Sequence, residues 1–206
     1  MRYTGPRNRL SRREGIDLGL KTAGSKAQGS LLKKLNIPPG QHGRNMSIKF
    51  TDYGLQLRAK QKVKRMYGLT EKKLRLVFKK AIAETGNTAE NLVIFLERRL
   101  DNTLYRLQFA PTRAAARQLI GHGHITINGK KVSIPSYQVS AKDVISFKRP
   151  TSAKIPYIEV LIAKKDPILP AWLNRKAQSG QVVSLPIFDE FKEDINLQAV
   201  VEFYSR

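Results

Sequence analysis

The uneven charge of this chain constrains its fold and partners more than any other feature of its sequence. Residues 1–80 hold 21 Lys and Arg against four acids (Glu14, Asp17, Asp52 and Glu71), which places +17 of the formal net +22 in that stretch. Such a surplus repels itself on compaction, and a polyanionic partner offsets it. Nucleic acid is the first candidate. An anionic membrane surface is the second, but no apolar run is long enough to span a bilayer. From Ile187 onward the balance reverses to −3, so the C-terminal end is expected to face something basic.

With 206 residues the chain can build one large domain or two small ones. The absence of cysteine excludes disulfides, thiolate catalysis and cysteine-based zinc sites. The opening "MRYTGPRNRLSRREG" lacks the apolar core of a signal peptide. Residues 1–43, rich in Gly, Ser, Pro and basic side chains, offer too little apolar surface to offset their own ordering. They are predicted to be an extended basic arm that orders on a partner, anchored by Leu31, Leu32, Leu35 and Ile37. "PPGQHG" at 38–43 is a linker by composition. Its glycines allow close approach of backbone to phosphate, and Gln41 and His42 can hydrogen-bond.

Three amphipathic helices follow. The first covers 52–67, with Asp52 as N-cap and Leu55, Ala59, Val63, Met66 and Tyr67 inward. The second opens at Thr70, with Leu74, Val77, Phe78, Ala81 and Ile82 inward and Lys72, Lys73, Arg75, Lys79 and Lys80 outward. The third begins at Thr88. "ERRLDNTLYRLQF" continues a helix to Ala110-Pro111, and Thr112 caps the short helix "TRAAARQLI". In "ITINGKKVSI" apolar residues alternate around Asn128-Gly129, a strong hairpin signal. "DVISF", "QVVSL" and "VVEFYS" read as further strands, and Trp172 as part of a short helix. The fold class is α+β: an extended arm at 1–43, a helical domain at 44–97 completed by 163–206, and an inserted two-helix-plus-sheet module at 98–162.

Catalysis finds little support. "HGH" at 122–124 has no accompanying base, nucleophile or further metal ligand, and no phosphate-binding Gly loop precedes a Lys-Ser/Thr. RNA binding fares better. Arg113 and Arg117 stand one helical turn apart, and Thr112 marks a helix N-terminus suited to anions. Asn128, Lys130 and Lys131 sit at the hairpin. The scarcity of aromatics among the basic residues favours folded RNA over single strands, and no DNA-reading motif is visible. The RNA-facing set extends along the arm through Arg2, Arg7, Arg9, Arg12 and Arg13. On the helices it takes in Arg58, Lys60, Lys62, Lys64, Arg65, Lys72 and Lys73. In the module it adds Arg99, Gln118, His122 and His124.

The stretch from "ERRLDNTLYRL" to "KDVISF" resembles the RNA-binding module named after small-subunit ribosomal protein four. That module also occurs in pseudouridine synthases, tyrosyl-tRNA synthetases and a heat-shock protein. An RNA-modifying enzyme and a heat-shock-type RNA binder are therefore the alternative readings. "PPGQHG", "DYGLQLRAKQKVKRMYGL", "ENLVIFLERRLDN" and "EDINLQAVVEFYSR" resemble the ribosomal branch of the family. The resemblance implies a non-enzymatic constituent of the small subunit that binds 16S-type rRNA early in assembly of the 5′ domain. It also implies contacts with small-subunit proteins five and three, a role in accuracy, and a place beside the channel through which mRNA enters. Arg44 and Lys49 match the basic residues that the family uses at that channel. No cofactor or metal is implied, because the cysteine zinc site of some members is missing here. The N-terminal wording is most similar to cyanobacterial or plastid members, which implies a bacterial cytoplasmic ribosome or a plastid stroma.

Overall fold

The computed structural model describes residues 3–43, 49–153, 155–163, 168–191 and 193–206. The chain forms two compact units, Met1–Leu92 with Glu193–Arg206, and Val93–Lys192.

In the first unit, the segment expected to be an extended arm carries two short helices, α1 (Arg7–Glu14) and α2 (Lys26–Leu32). Leu18 and Leu31 are buried. Polar groups add what apolar surface lacks. Asn8 donates to the Ala27 carbonyl at 2.9 Å, and Gln28 donates to the Asp17 carboxylate at 2.8 Å. These contacts lie within the chain itself, and the segment is partly helical where an extended arm was expected. Of the expected anchor residues only Leu31 is buried, while Leu32 is exposed.

Helix α3 (Asp52–Met66) is capped by Thr51, whose hydroxyl accepts from the Gly54 N–H; Asp52 sits in the first turn and is not the cap. Helix α4 (Glu71–Ala83) is capped by Thr70, as expected. Leu55 and Ile82, assigned inward, are more than half exposed, and Gln56 is buried in their place. The burial of Gln56, which donates to Glu202, is explained at the C-terminus. "VVEFYS" is not a strand but part of α10 (Leu197–Ser205), capped by Asn196 and packed on α3. Leu197, Val200 and Tyr204 recur at helical spacing, and that period prevails over the strand preference of two adjacent valines. Phe78 stacks on Tyr204 at 4.7 Å, and the Lys60 ammonium sits 4.4 Å over the Phe203 ring.

Helix α5 (Thr88–Glu97) does not continue into the next helix. Arg99 takes an extended conformation, and α6 (Leu100–Arg106) starts after it. The chain at 135–139 explains the break: the N–H groups of Leu100 and Asp101 donate to the carbonyls of Tyr137 and Pro135, and the Val139 N–H donates to Arg98. Those partners lie far along the sequence, where helical periodicity cannot register them. Helix α7 (Arg113–Gly121) is capped by Thr112 as expected.

The second unit holds a five-stranded antiparallel sheet of order β2-β1-β3-β5-β4. Its strands are β1 (Ile125–Ile127), β2 (Lys130–Lys131), β3 (Val144–Phe147), β4 (Leu173–Lys176) and β5 (Ser179–Val182). Ile127 pairs with Lys130, leaving Asn128 and Gly129 as a two-residue turn, both with positive φ. Residues 163–206, read together in the sequence, contribute to both units: β4 and β5 extend this sheet, and α10 packs in the first unit. Trp172 is fully buried in the turn that leads into β4, not in a helix. Of "QVVSL" only Gln181 and Val182 belong to β5, and Val183 and Leu185 are exposed. Gly180 is required at its place in β5, since a Cβ there would meet the Leu107 side chain at 2.5 Å.

Helices α8 (Pro150–Ala153) and α9 (Pro156–Ile162) lie between β3 and β4 in sequence. Arg175 on β4 reaches back to two helix ends. Its guanidinium donates to the Leu107 carbonyl after α6 at 3.3 Å, and to the Leu161 and Ile162 carbonyls of α9 at 3.0 Å. Arginines that meet terminal carbonyls in this way satisfy acceptors left open by the helix.

Candidate nucleic-acid interface

The cations of the first unit fall into two groups. On α3 four of the five are held by carboxylates. Arg58 and Arg65 both pair with Glu14, whose side chain is fully buried. Lys60 and Lys64 pair with Glu71 at 3.0 Å each. On α4, Lys72, Lys73, Arg75, Lys79 and Lys80 are all exposed. Lys62 is half-buried, and Arg9, Arg13 and Lys49 are exposed.

The two carboxylates respond in opposite directions. Burial raises the Glu14 carboxyl above its ordinary range, against the pull of Arg65 and Arg58. Burial also acts upward on Glu71, but hydrogen bonds from Lys60, Tyr204 and Lys64 outweigh it and bring the carboxyl down to about 2. The Tyr204 hydroxyl is pushed up in turn, by burial and by its bond to Glu71.

"PPGQHG" is a fixed turn rather than a loose linker. Arg12 donates from Nε to the Ile37 carbonyl at 2.9 Å and from Nη2 to the Pro38 carbonyl at 3.0 Å. A Cβ at position 43 would collide with the Pro38 carbonyl, so Gly43 is needed by the turn itself. Gln41 and His42 are exposed on it. Arg7 donates to the Leu20 carbonyl at 3.3 Å. Arg2 and Arg44 lie outside the described residues.

In the second unit the expected arginine face turns inward. Arg113 is buried. Its Nε donates to the Asn102 side chain at 2.8 Å, and its guanidinium lies 4.5 Å from the Tyr105 ring centre. Arg117 and Arg99 share the buried Asp101 carboxylate, with closest contacts of 2.5 Å and 2.8 Å. Glu97, also buried, accepts from Asn102 and from Arg106. Thr112 accepts from the Ala115 N–H, and Asn128 is bonded to Asp143 and to the Val144 N–H.

What remains outward is compact. Gln118, His122, Lys130 and Lys131 are exposed. The Lys131 side chain lies against Gly123, between His122 and His124, whose rings are 6.2 Å apart. His124 is half-buried with Nδ1 3.0 Å from the Ser152 hydroxyl. Among the described residues no cluster of His, Asp or Glu could hold a metal ion, and no helix is long and apolar enough to cross a membrane.

Sequence reasoning missed the organisers of this surface. Glu14 is the sole acid in "RNRLSRRE", and that isolation within a cation run was its only signal. The cluster Glu97, Arg98, Arg99 and Asp101 was visible as a solvated or structural one, but the hold of Asp101 on Arg117 and of Asn102 on Arg113 gave no signal, since those arginines come from a later helix.

Residues 2–97 match the family described as "Ribosomal protein S4/S9 N-terminal domain", and residues 98–145 match "S4 domain". Curated relatives align along the whole chain. The protein of Polaromonas naphthalenivorans is 48% identical over 207 residues, covering 100% of this chain and 99% of its own. The protein of Variovorax paradoxus is 47% identical and that of Leptothrix cholodnii 46%, with the same coverage. All three are named "Small ribosomal subunit protein uS4".

Proposed function

This chain belongs to the small ribosomal subunit protein uS4 family, and we propose that it nucleates folding of the 5′ domain of small-subunit rRNA. It is a structural, rRNA-binding constituent of the bacterial-type small subunit and not an enzyme. Its mechanism is electrostatic and architectural. Basic surfaces on its helical part and on its module, 98–162, hold adjacent RNA helices in a fixed relative orientation.

The observation that carries this reading is the placement of the acids. Glu14, Glu97, Asp101 and Asp143 are buried, while Lys72, Lys73, Lys130 and Lys131 are exposed. These four carboxylates organise the fold from inside and leave the exposed lysines to meet phosphate. Gln41 and His42, presented by the Arg12-held turn, and Gln118, His122 and His124 supply hydrogen bonds at the same surfaces. Arg44 and Lys49 approach mRNA where it enters the subunit. The acidic C-terminal end, with proteins five and three as neighbours, connects the chain to accuracy.

The test is crosslinking of the full chain in cells and sequencing of the attached RNA. Enrichment of one contiguous part of the 5′ domain is expected. RNA scattered without preference for small-subunit rRNA would defeat the proposal.

A further inference from the structure

Glu14 stands among more cations than it can neutralise. Arg58 and Arg65 pair with its Oε1, and Lys62 and Arg13 lie close enough to act on its charge. One carboxylate against four cations leaves the cluster positive. Arg65 registers the surplus. Burial lowers it, Glu14 opposes that, and Arg58 and Arg13 depress it further as like charges. The cluster opens into a cleft of ≈ 220 Å³ lined by Tyr3, Arg9, Leu10, Arg13 and Arg65. Arg9 and Arg13 are exposed, one helical turn apart on α1, and have no ion pair among the described residues.

We propose that this cleft seats one backbone phosphate of RNA, gripped by Arg9, Arg13 and Arg65, with Glu14 as the positioning residue that aims Arg65. The inference rests on the rRNA-binding reading and names a specific seat within it. Three guanidinium forks suit the oxygens of a tetrahedral phosphate, and several forks converging on one point distinguish a seat from a diffuse basic surface. A cleft of this volume exceeds a lone phosphate, which leaves space for the ester links that continue the strand. The bound anion also relieves the repulsion among the cations, so binding stabilises the fold.

Two measurements on the full chain test it. The first follows thermal melting in inorganic phosphate against chloride at equal ionic strength, for wild type, Arg9→Gln/Arg13→Gln and Lys72→Gln/Lys73→Gln. Phosphate is expected to raise the melting temperature of wild type and of the α4 variant, and not that of the α1 variant. The second measures salt-dependent affinity for a 5′-domain rRNA transcript. The α1 variant is expected to lose about tenfold or more in affinity and to flatten the slope of log K against log salt by about two. Equal phosphate shifts in all three proteins would overturn the seat. A selective phosphate shift with unchanged RNA slope would keep the seat but remove RNA as its source. Wild type that fails to bind the transcript would bring down the rRNA reading, and the melting series would still decide the seat.

Discussion

Helices α4 and α7 have similar beginnings and opposite uses for their cations. Each is capped by a threonine whose hydroxyl accepts a backbone N–H three residues on. On α4 the basic side chains stand in solvent, whereas on α7 both arginines turn back to Asn102 and Asp101 of α6. The difference is the presence of acceptors on the preceding element. On these two helices a basic residue stands in solvent where the fold supplies no carboxylate or amide to meet it. Charge density along the sequence therefore overstates the exposed basic surface of α7 and matches that of α4.

The strongest way to break the contrast is Asp101→Ala. It strips the carboxylate shared by Arg99 and Arg117 and leaves the Arg99 charge buried, at a cost of about 3–5 kcal/mol. Urea unfolding of the full chain measures it, and a loss below about 1 kcal/mol would show that the network is incidental. For the same reason, substituting Arg113 or Arg117 disturbs stability before it reports on RNA.

Thr70→Ala and Thr112→Ala sharpen the comparison at the next level. Both should cost about 1 kcal/mol, because the caps are alike even though the helices are used differently. A large disparity in melting between the two would mean that tertiary context governs the caps as well.

Neutralising α4 with Lys72→Gln, Lys73→Gln and Lys79→Gln should change stability by less than about 0.5 kcal/mol. The same variant should flatten the salt dependence of rRNA binding, and an unchanged slope would remove α4 from the interface.

The smallest effect concerns acid. Glu71 has a folded pKa of about 2, below its ordinary 4.5, so its stabilising contribution is full above about pH 5 and fades as pH falls toward 2. Solvent reaches Glu71, which screens and reduces that contribution. Glu14 is shifted upward and acts with the opposite sign: keeping it ionised costs stability above its folded pKa, and the cost disappears on protonation. Urea midpoints of wild type and Glu71→Gln should converge as the pH drops from 5 to 2. A constant gap would mean that Glu71 acts through packing.

What the sequence revealed and what it concealed separate along this same line. Thr70, Thr112 and Asn128-Gly129 were legible because their chemistry is complete within a few residues. The kink at Arg99, the inward turn of Arg113 and the helical state of "VVEFYS" were not. Each depends on a partner distant in sequence: carbonyls at 135–137, the amide of Asn102, and the face of α3. The site followed the same rule. Its outward lysines were foreseen from composition, whereas the burial of Glu14 and the reach of Asp101 to Arg117, which sort cations into held and exposed, were hidden by plain acidic identity.

Arg175 carries a consequence for the chain's synthesis. Translation delivers α6 and α9 before residue 175 exists, so until then the carbonyls of Leu107, Leu161 and Ile162 lack the guanidinium that meets them in the finished fold. Once β4 is made, one side chain can meet both helix ends, but β4 joins the sheet only through β5, the strand made after it. Helix completion and sheet closure are thus two late steps a few residues apart, and a nascent chain halted short of Arg175 holds neither in finished form.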